Sequence, residues 1–369
     1  MDAEARALLQ LHLTDGIGPR LVQNLLRRFG TAQAATAADA TDLRQVDGIG
    51  DELARAIVSD SDGAVVDAEC ERCGRAGVEI VAWSSAAYPV GLQDIPDPPP
   101  ILYVKGRLIE ADQLAVGIVG TRHASHYGLR QTERLSTSLS LAGLTIVSGL
   151  ARGIDAAAHR AALAAGGRTL AVLAGGLSEI YPPQHQELAA QICQSGALIS
   201  EVSLATKPRR GCFPRRNRLI SGLSLGAVIM EASERSGAMI TARMAMEQGR
   251  EVFAVPGPID SPNSRGCHRL LRDGAKLVEC VDDVLEELGP LVMPTVTEQG
   301  ETVRDGRELQ LNSQEQTVLR AIADDSPSVN EIIQRSGLPV QRVLATLSVL
   351  ETRHLVHRIG GDRVSRSWR

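Results

Sequence analysis

Aromatic side chains make up only 2% of this 369-residue chain, with three phenylalanines, four tyrosines and two tryptophans. Stacking platforms are therefore scarce. Cysteines are few and scattered (Cys70, Cys73, Cys193, Cys212, Cys267, Cys280), without framework spacing, which argues against a disulfide scaffold. Cys70-x-x-Cys73 has no second Cys/His pair at useful spacing, so no metal is expected. No segment reaches transmembrane length, and the start M-D-A-E-A-R-A carries acids and no signal-length apolar core. A cytoplasmic protein with reduced thiols and no membrane partner is the expectation. An overall basic excess is missing too. The net charge is −5, so any anion site must be local.

Two nucleotide signatures are also absent. No G-x-G-x-x-G follows the first apolar run, where Gly117 and Gly120 are spaced differently, and no Walker G-x-x-x-x-G-K-[S/T] occurs. Neither a dinucleotide cofactor nor ATP hydrolysis is expected, and no other cofactor is implied. The chain does have 43% apolar and 22% charged residues, the balance of a soluble globular protein with room for about two or three domains.

Short continuous apolar runs at Ala115–Val119, Leu144–Ser148, Thr169–Ala174, Ala197–Ser200, Gly226–Met230 and Glu251–Val255 alternate with helical patterns near 127–142, 154–165, 185–194 and 237–248. Runs that are apolar on both faces suit parallel strands covered by helices. The expected fold is α/β, a doubly wound parallel sheet of Rossmann type over 83–288. Ligands of such sheets bind beyond the carboxyl ends of the strands. The turns there are G-T-R-H (120–123), S-G-L-A-R-G-I-D (148–155), G-G-L (175–177) and E-R-S-G-A-M-I-T (234–241). They supply Arg122, Gly149, Arg152, Gly153, Gly237 and Thr241 as a shelf of anion-binding amides and cations.

After the fourth run comes T-K-P-R-R-G-C-F-P-R-R-N-R-L-I-S (206–221). Lys207, Arg209, Arg210, Arg215, Arg216 and Arg218 put six cations there without an acid, around Phe213 and Asn217. The stretch reads as a basic loop with one aromatic at the edge where the glycine turns converge. Arginines that fork onto phosphates beside a ring that stacks on a base suit single-stranded nucleic acid; solvated surface charge is the competing reading. Asp155 and His159, one helical turn apart, could form an acid–base pair. The alternative has Asp155 holding backbone amides while His159 packs nearby.

The ends read as separate units. Residues 1–82 contain L-T-D-G-I-G-P-R and V-D-G-I-G-D-E, which resemble a helix-hairpin-helix (SAM-like) module. Gly16, Gly18 and Arg20 are its candidate phosphate contacts, whereas Asp51 and Glu52 repel phosphate in the second unit. After a polar linker (289–312), residues 313–369 pattern as three helices, with a turn at Gly337, and a hairpin tipped by Gly360-Gly361. That is a winged helix with few cations (Arg342, Arg353) on its recognition helix.

S-G-L-A-R-G-I-D-A-A-A-H-R (148–160), A-V-L-A-G-G-L-S-E-I-Y-P-P (171–183), F-P-R-R-N-R-L-I-S-G-L-S (213–224), S-G-A-M-I-T-A-R (236–243) and V-F-A-V-P-G-P-I-D-S-P-N-S-R-G-C-H-R (252–269) resemble the DNA-processing protein A (DprA/Smf) family of bacteria. The resemblance implies an extended Rossmann core that binds single-stranded DNA without catalysis. It also implies a homodimer that protects incoming strands in natural transformation and helps load RecA recombinase, with single-strand-binding protein as a further candidate partner. By motif, Arg122, Phe213, Arg215, Arg216, Asn217 and Arg218 match the family's DNA-groove residues, and Lys207 falls where a groove lysine is found. G-T-R-H-A-S-H-Y-G departs from the family pattern at His123 and His126. Two other functions remain open at this stage. One is a nucleotide phosphoribohydrolase of the lysine-decarboxylase-like type, whose P-G-G-x-G-T loop is missing here. The other is a duplex-binding regulator acting through the winged helix.

Overall fold

The computed structural model describes residues 1–59, 63–209, 211–289, 295–296, 302–303, 313–322, 326–352, 355–359 and 363–366. Nine strands form the central sheet: β1 (Glu79–Ala82), β2 (Ile101–Gly106), β3 (Ala115–Val119), β4 (Thr145–Ser148), β5 (Thr169–Leu173), β6 (Ala197–Ser200), β7 (Gly226–Ile229), β8 (Glu251–Ala254) and β9 (Lys276–Leu277). Their order is β1-β2-β6-β5-β4-β3-β7-β8-β9. Strands β3 to β9 pair in parallel, and β1 and β2 add an antiparallel edge beside β6.

The chain winds outward from β3 to β6, then returns to the other side of β3 with β7. The sheet is therefore doubly wound, as its apolar runs imply, and the β1–β2 hairpin extends it. Helices His126–Leu141 and Ile154–Ala164 bury Leu135, Leu139, Ile154 and Ala158 on one face. Helix Gly237–Glu247 covers the other with Ala238, Ala242 and Ala245. Strand β1 ends at Ala82, so the sheet takes its first strand from just before the expected boundary at residue 83.

The stretch expected to be a basic loop turns out to be largely helical. Cys212–Gly222 forms a helix whose residues from Arg216 to Gly222 are all buried. Pro214 is tolerated because it occupies the first turn, where backbone N–H groups have no intrahelical partner. Arg210 lies outside the described residues.

At the N-terminus, Gly16 and Gly48 hold matching left-handed turns with φ of 88° and 89°. In each, the following isoleucine amide donates three residues back, Ile17 to Thr14 and Ile49 to Val46. These helices share an apolar cluster with the sheet, bringing Leu8, Leu9 and Leu11 together with Tyr103, Leu173, Leu198 and Leu204. Buried Glu69 adds a polar tie by accepting from the Leu204 amide at 2.8 Å.

The C-terminal unit contains helices Ser313–Ala321, Val329–Ser336 and Val340–Thr352 and the antiparallel pair Val356–Ile359 and Arg363–Arg366. A capping box between Ser328 and Glu331 starts the second helix, and left-handed Gly337 ends it. Of the expected linker, only Gly289 and the short pair Thr295–Val296 and Thr302–Val303 are described. Arg353 and the Gly360-Gly361 tip lie outside the described residues.

Candidate nucleic-acid interface

A cavity of about 160 Å³ opens beyond the carboxyl ends of β4 and β5. Its floor is Gly149, Leu173, Ala174, Gly175 and buried Arg216. Arg122, His123, Ala151 and Arg152 line it as well, and Glu179, Tyr181, Pro182, Pro208 and Phe213 complete the lining.

Phe213, in the first turn of its helix, meets the Tyr181 ring edge-on, with centroids 5.9 Å apart and planes inclined at 60°. The guanidinium carbon of exposed Arg122 stands 4.8 Å from the Phe213 centroid. Such a cation–π contact contributes about 0.5–1 kcal/mol at an exposed site. It also holds a guanidinium group beside an aromatic ring at the cavity mouth. Arg122 is delivered by the turn after β3. The Thr121 amide donates to Glu231 O at 2.8 Å, and the Thr121 carbonyl accepts from the Ile154 amide at 3.3 Å. Gly153 lies against this turn with φ 75°, where a Cβ would sit 2.4 Å from Thr121 O. Only glycine fits there.

The six cations of the basic stretch divide sharply. Arg215 is exposed, 52% by side chain, and rests 3.5 Å from Glu201. Lys207 and Arg209 are exposed as well. Arg216 is 5% and Arg218 is 4% exposed. The guanidinium of Arg216 donates to Gly149 O at 2.6 Å and to Val172 O. It packs so closely on Gly149 that a Cβ there would lie 2.4 Å from its Nη1. Burial lowers Arg216 to about 10 while neighbouring Asp155 works against that shift, so Arg216 stays charged at neutral pH. Arg218 ion-pairs with buried Glu201 and, at 2.9 Å, with Asp97. Asn217 donates to Gly237 O at 3.3 Å. These three side chains hold the strand-end turns in place, and Arg216 also faces the cavity.

The expected amide shelf is also partly filled from within. One Asp155 oxygen accepts from the Gly149 and Ala151 amides at 3.1 and 3.3 Å. Burial pushes the Asp155 carboxyl above its usual range, with Arg216 and the two amides pulling it back. His159 bonds Thr169 Oγ1 through Nδ1 at 2.6 Å, and burial holds it down to about 3. Asp155 thus holds backbone amides while His159 packs against β5, the second of the two expected arrangements.

Of the residues singled out from sequence, Arg122, Gly149, Arg152, Phe213 and Arg216 line the cavity. Gly153 supports it from behind. Gly237 and Thr241 join Asn217 next to it, with the buried Thr241 hydroxyl donating to Gly237 O at 3.4 Å. Gly16, Gly18 and Arg20 belong to the N-terminal unit, but a Cβ on Gly18 would lie only 3.7 Å from Arg215 Nη2. That proximity puts the first Gly-Ile-Gly turn beside the basic helix start. Sequence reasoning missed Glu179, Tyr181 and Pro208. Their signal was position alone, in the segments after β5 and β6.

No helix among the described residues is long and apolar enough to cross a membrane, and none of their His, Cys, Asp and Glu side chains cluster as metal ligands. Comparison with known proteins gives three family matches: DNA recombination-mediator protein A over residues 79–289, a DprA winged helix domain over 304–362, and a SAM-like helix-hairpin-helix tandem over 6–60. Protein Smf of a Synechocystis species is 34% identical over 381 residues, covering 95% of this chain and 96% of that protein. The X-ray structure of DNA processing protein A from Streptococcus pneumoniae superposes with a TM-score of 0.70 at 34% identity, over 78% of this chain and 99% of that one. A Helicobacter pylori DNA processing protein A, whose structure is described for its single-stranded DNA binding mode, gives 0.52 at 30% identity, over 57% of this chain and 95% of that one. With its nine-stranded Rossmann-like sheet between a helix-hairpin-helix unit and a winged helix, this chain belongs to the DNA recombination-mediator protein A (DprA/Smf) family.

Proposed function

We propose that this protein binds single-stranded DNA across the carboxyl edge of its sheet and, as a non-catalytic homodimer in the cytoplasm, delivers strands taken up in transformation to a RecA-type recombinase. The observation that carries the binding step is one edge that combines exposed Arg122, Arg152, Lys207 and Arg215 with the Phe213 ring. The cations take successive phosphates, and Phe213 stacks on an unpaired base, which a duplex does not offer. The turn at Gly16–Gly18, adjacent to Arg215, extends the path toward the N-terminal unit. Arg216, Asn217 and Arg218 act in this reading as supports of the groove. The delivery step rests on the family and on the DNA-binding description of its Helicobacter pylori relative.

The test is competition of labelled oligo-dT by unlabelled single strands and by blunt duplexes of equal length. Single strands displace the label at lower concentration in this account. Equal or better displacement by duplex would refute it and turn attention to the winged helix.

A further inference from the structure

The amino ends of the strands carry a second, larger cavity of about 820 Å³, within the usual size range of binding pockets. It lies at the opposite end of the sheet from the edge assigned to DNA. Leu114, Leu170, Leu225 and Arg250 stand there at the starts of β3, β5, β7 and β8. Most of the lining is apolar, and Val90 and Ile109 are 54% and 42% exposed on it. An open apolar surface of this kind calls for a partner.

Its charge is wrong for a polyanion. Asp94 and Glu110 are exposed on the lining, and among the described residues no hydrogen bond or ion pair engages either carboxylate. Asp112 differs, being held by Arg168 at 2.6 Å. The carboxyl end of helix Cys212–Gly222 adds its negative pole through Gly222 and Leu223. Arg250, the single cation in the lining, already donates to Gly91 O at 3.0 Å. The complement is an apolar surface edged with positive charge.

The winged helix presents one. In winged helices that read DNA, the helix matching Val340–Thr352 enters the major groove, yet here its outer face is apolar. Val340 and Leu344, one turn apart, are 51% and 41% exposed, and Val349 is 40% exposed on the same face. Exposed Gln341 and Ala345 lie between them, and exposed Arg342 edges the face beside Val349. The one acid of this helix, Glu351, is paired with Arg358 at 2.8 Å.

We propose that the cavity at the amino ends receives the outer face of helix Val340–Thr352 from a second copy of this chain. Val340 and Leu344 enter between Val90 and Ile109, and Arg342 meets the carboxylates of Asp94 and Glu110. Both surfaces are uncovered at once within one chain, and docking between chains hides both. The edge assigned to DNA is at the far end of the strands, so copies joined this way keep it open.

The test places a photo-crosslinker in the full-length protein, as Leu344→p-benzoylphenylalanine, and illuminates it without DNA. The expected product is a covalent dimer of twice the chain mass, in which mass spectrometry maps the link to segments 86–94, 108–114 or 222–225. The same link inside a monomer overturns the proposal in favour of docking within one chain. A dimer linked through any other segment, the partner's own helix Val340–Thr352 included, overturns it as well, and so does the absence of a link. Asp94→Lys combined with Glu110→Lys lowers the yield of the expected dimer by about 3-fold, the scale of exposed ion pairs, and adding Arg342→Glu restores it. Thermal melting checks that these surface variants fold. A yield that ignores the first reversal, or that Arg342→Glu fails to restore, also overturns the proposal.

Discussion

Replacing Arg216 by Met separates a groove-supporting arginine from a phosphate-binding one. The guanidinium is buried, donates to two carbonyl oxygens and faces the Asp155 carboxyl. Met fills similar space but leaves both acceptors and the acid without their partner. Breaking a buried charged pair in this way costs about 3–5 kcal/mol. For a domain of roughly 200 residues that lowers Tm by about 6–20 °C. The deficit depends on pH, and its sign follows from Asp155. Burial raises that carboxyl and Arg216 opposes the rise, so the variant's folded-state value climbs further above the unfolded one. A carboxyl that holds its proton more tightly when folded loses stability as pH rises through the window above the usual value near 4. Arg216→Met is therefore more destabilised near pH 8 than near pH 5, roughly the two sides of that window. Adding Asp155→Asn recovers part of the loss. Calorimetry of the four proteins of this cycle checks the account. An Arg216→Met protein that melts with the wild type and loses one phosphate contact from its salt dependence would refute it.

Three further outcomes follow from the same geometry. Phe213→Ala weakens binding of oligo-dT by about 1–3 kcal/mol, read by anisotropy, if the ring stacks on a base, while Phe213→Trp retains most of the affinity. Arg215→Ala lowers the slope of log K against log salt by about 0.7, one phosphate contact on a single strand, with little change in Tm because Arg215 is half exposed and buried Glu201 keeps its pair with Arg218. His12, packed 6.1 Å from the Tyr103 ring, is held down to about 4 by burial and then by Arg215. A base depressed in the folded state contributes stability that is complete above its unfolded value near 6.5 and is lost as pH falls toward 4. His12→Gln flattens the stability–pH curve across that window.

The sheet was legible because its parallel strands are buried on both faces. Ala115–Val119 and Thr169–Leu173 read as unbroken apolar runs, and the turns after them follow from topology. Strand β9 was not legible, because it is two residues long and both Lys276 and Leu277 are exposed. The helix Cys212–Gly222 was hidden for a different reason. Its first turns bury Arg216, Asn217 and Arg218 through ion pairs and carbonyl contacts, and apolar periodicity carries no trace of that. The same blindness gave no hint that Arg216 and Arg218 are buried, since an arginine is most often exposed. Glu179 and Tyr181 reach the cavity only because the segment after β5 folds back over the strand ends, a tertiary fact without local signature.

The most direct test of the central claim is the salt dependence of single-strand binding by the wild type and by a variant lacking the charges of Arg122, Arg152, Lys207 and Arg215 together. Four phosphate contacts predict that the slope of log K against log salt falls by about 3 on their removal. Melting stays near the wild-type value, since all four side chains are exposed. An unchanged slope in a folded variant would contradict the assignment of the DNA path to this edge of the sheet.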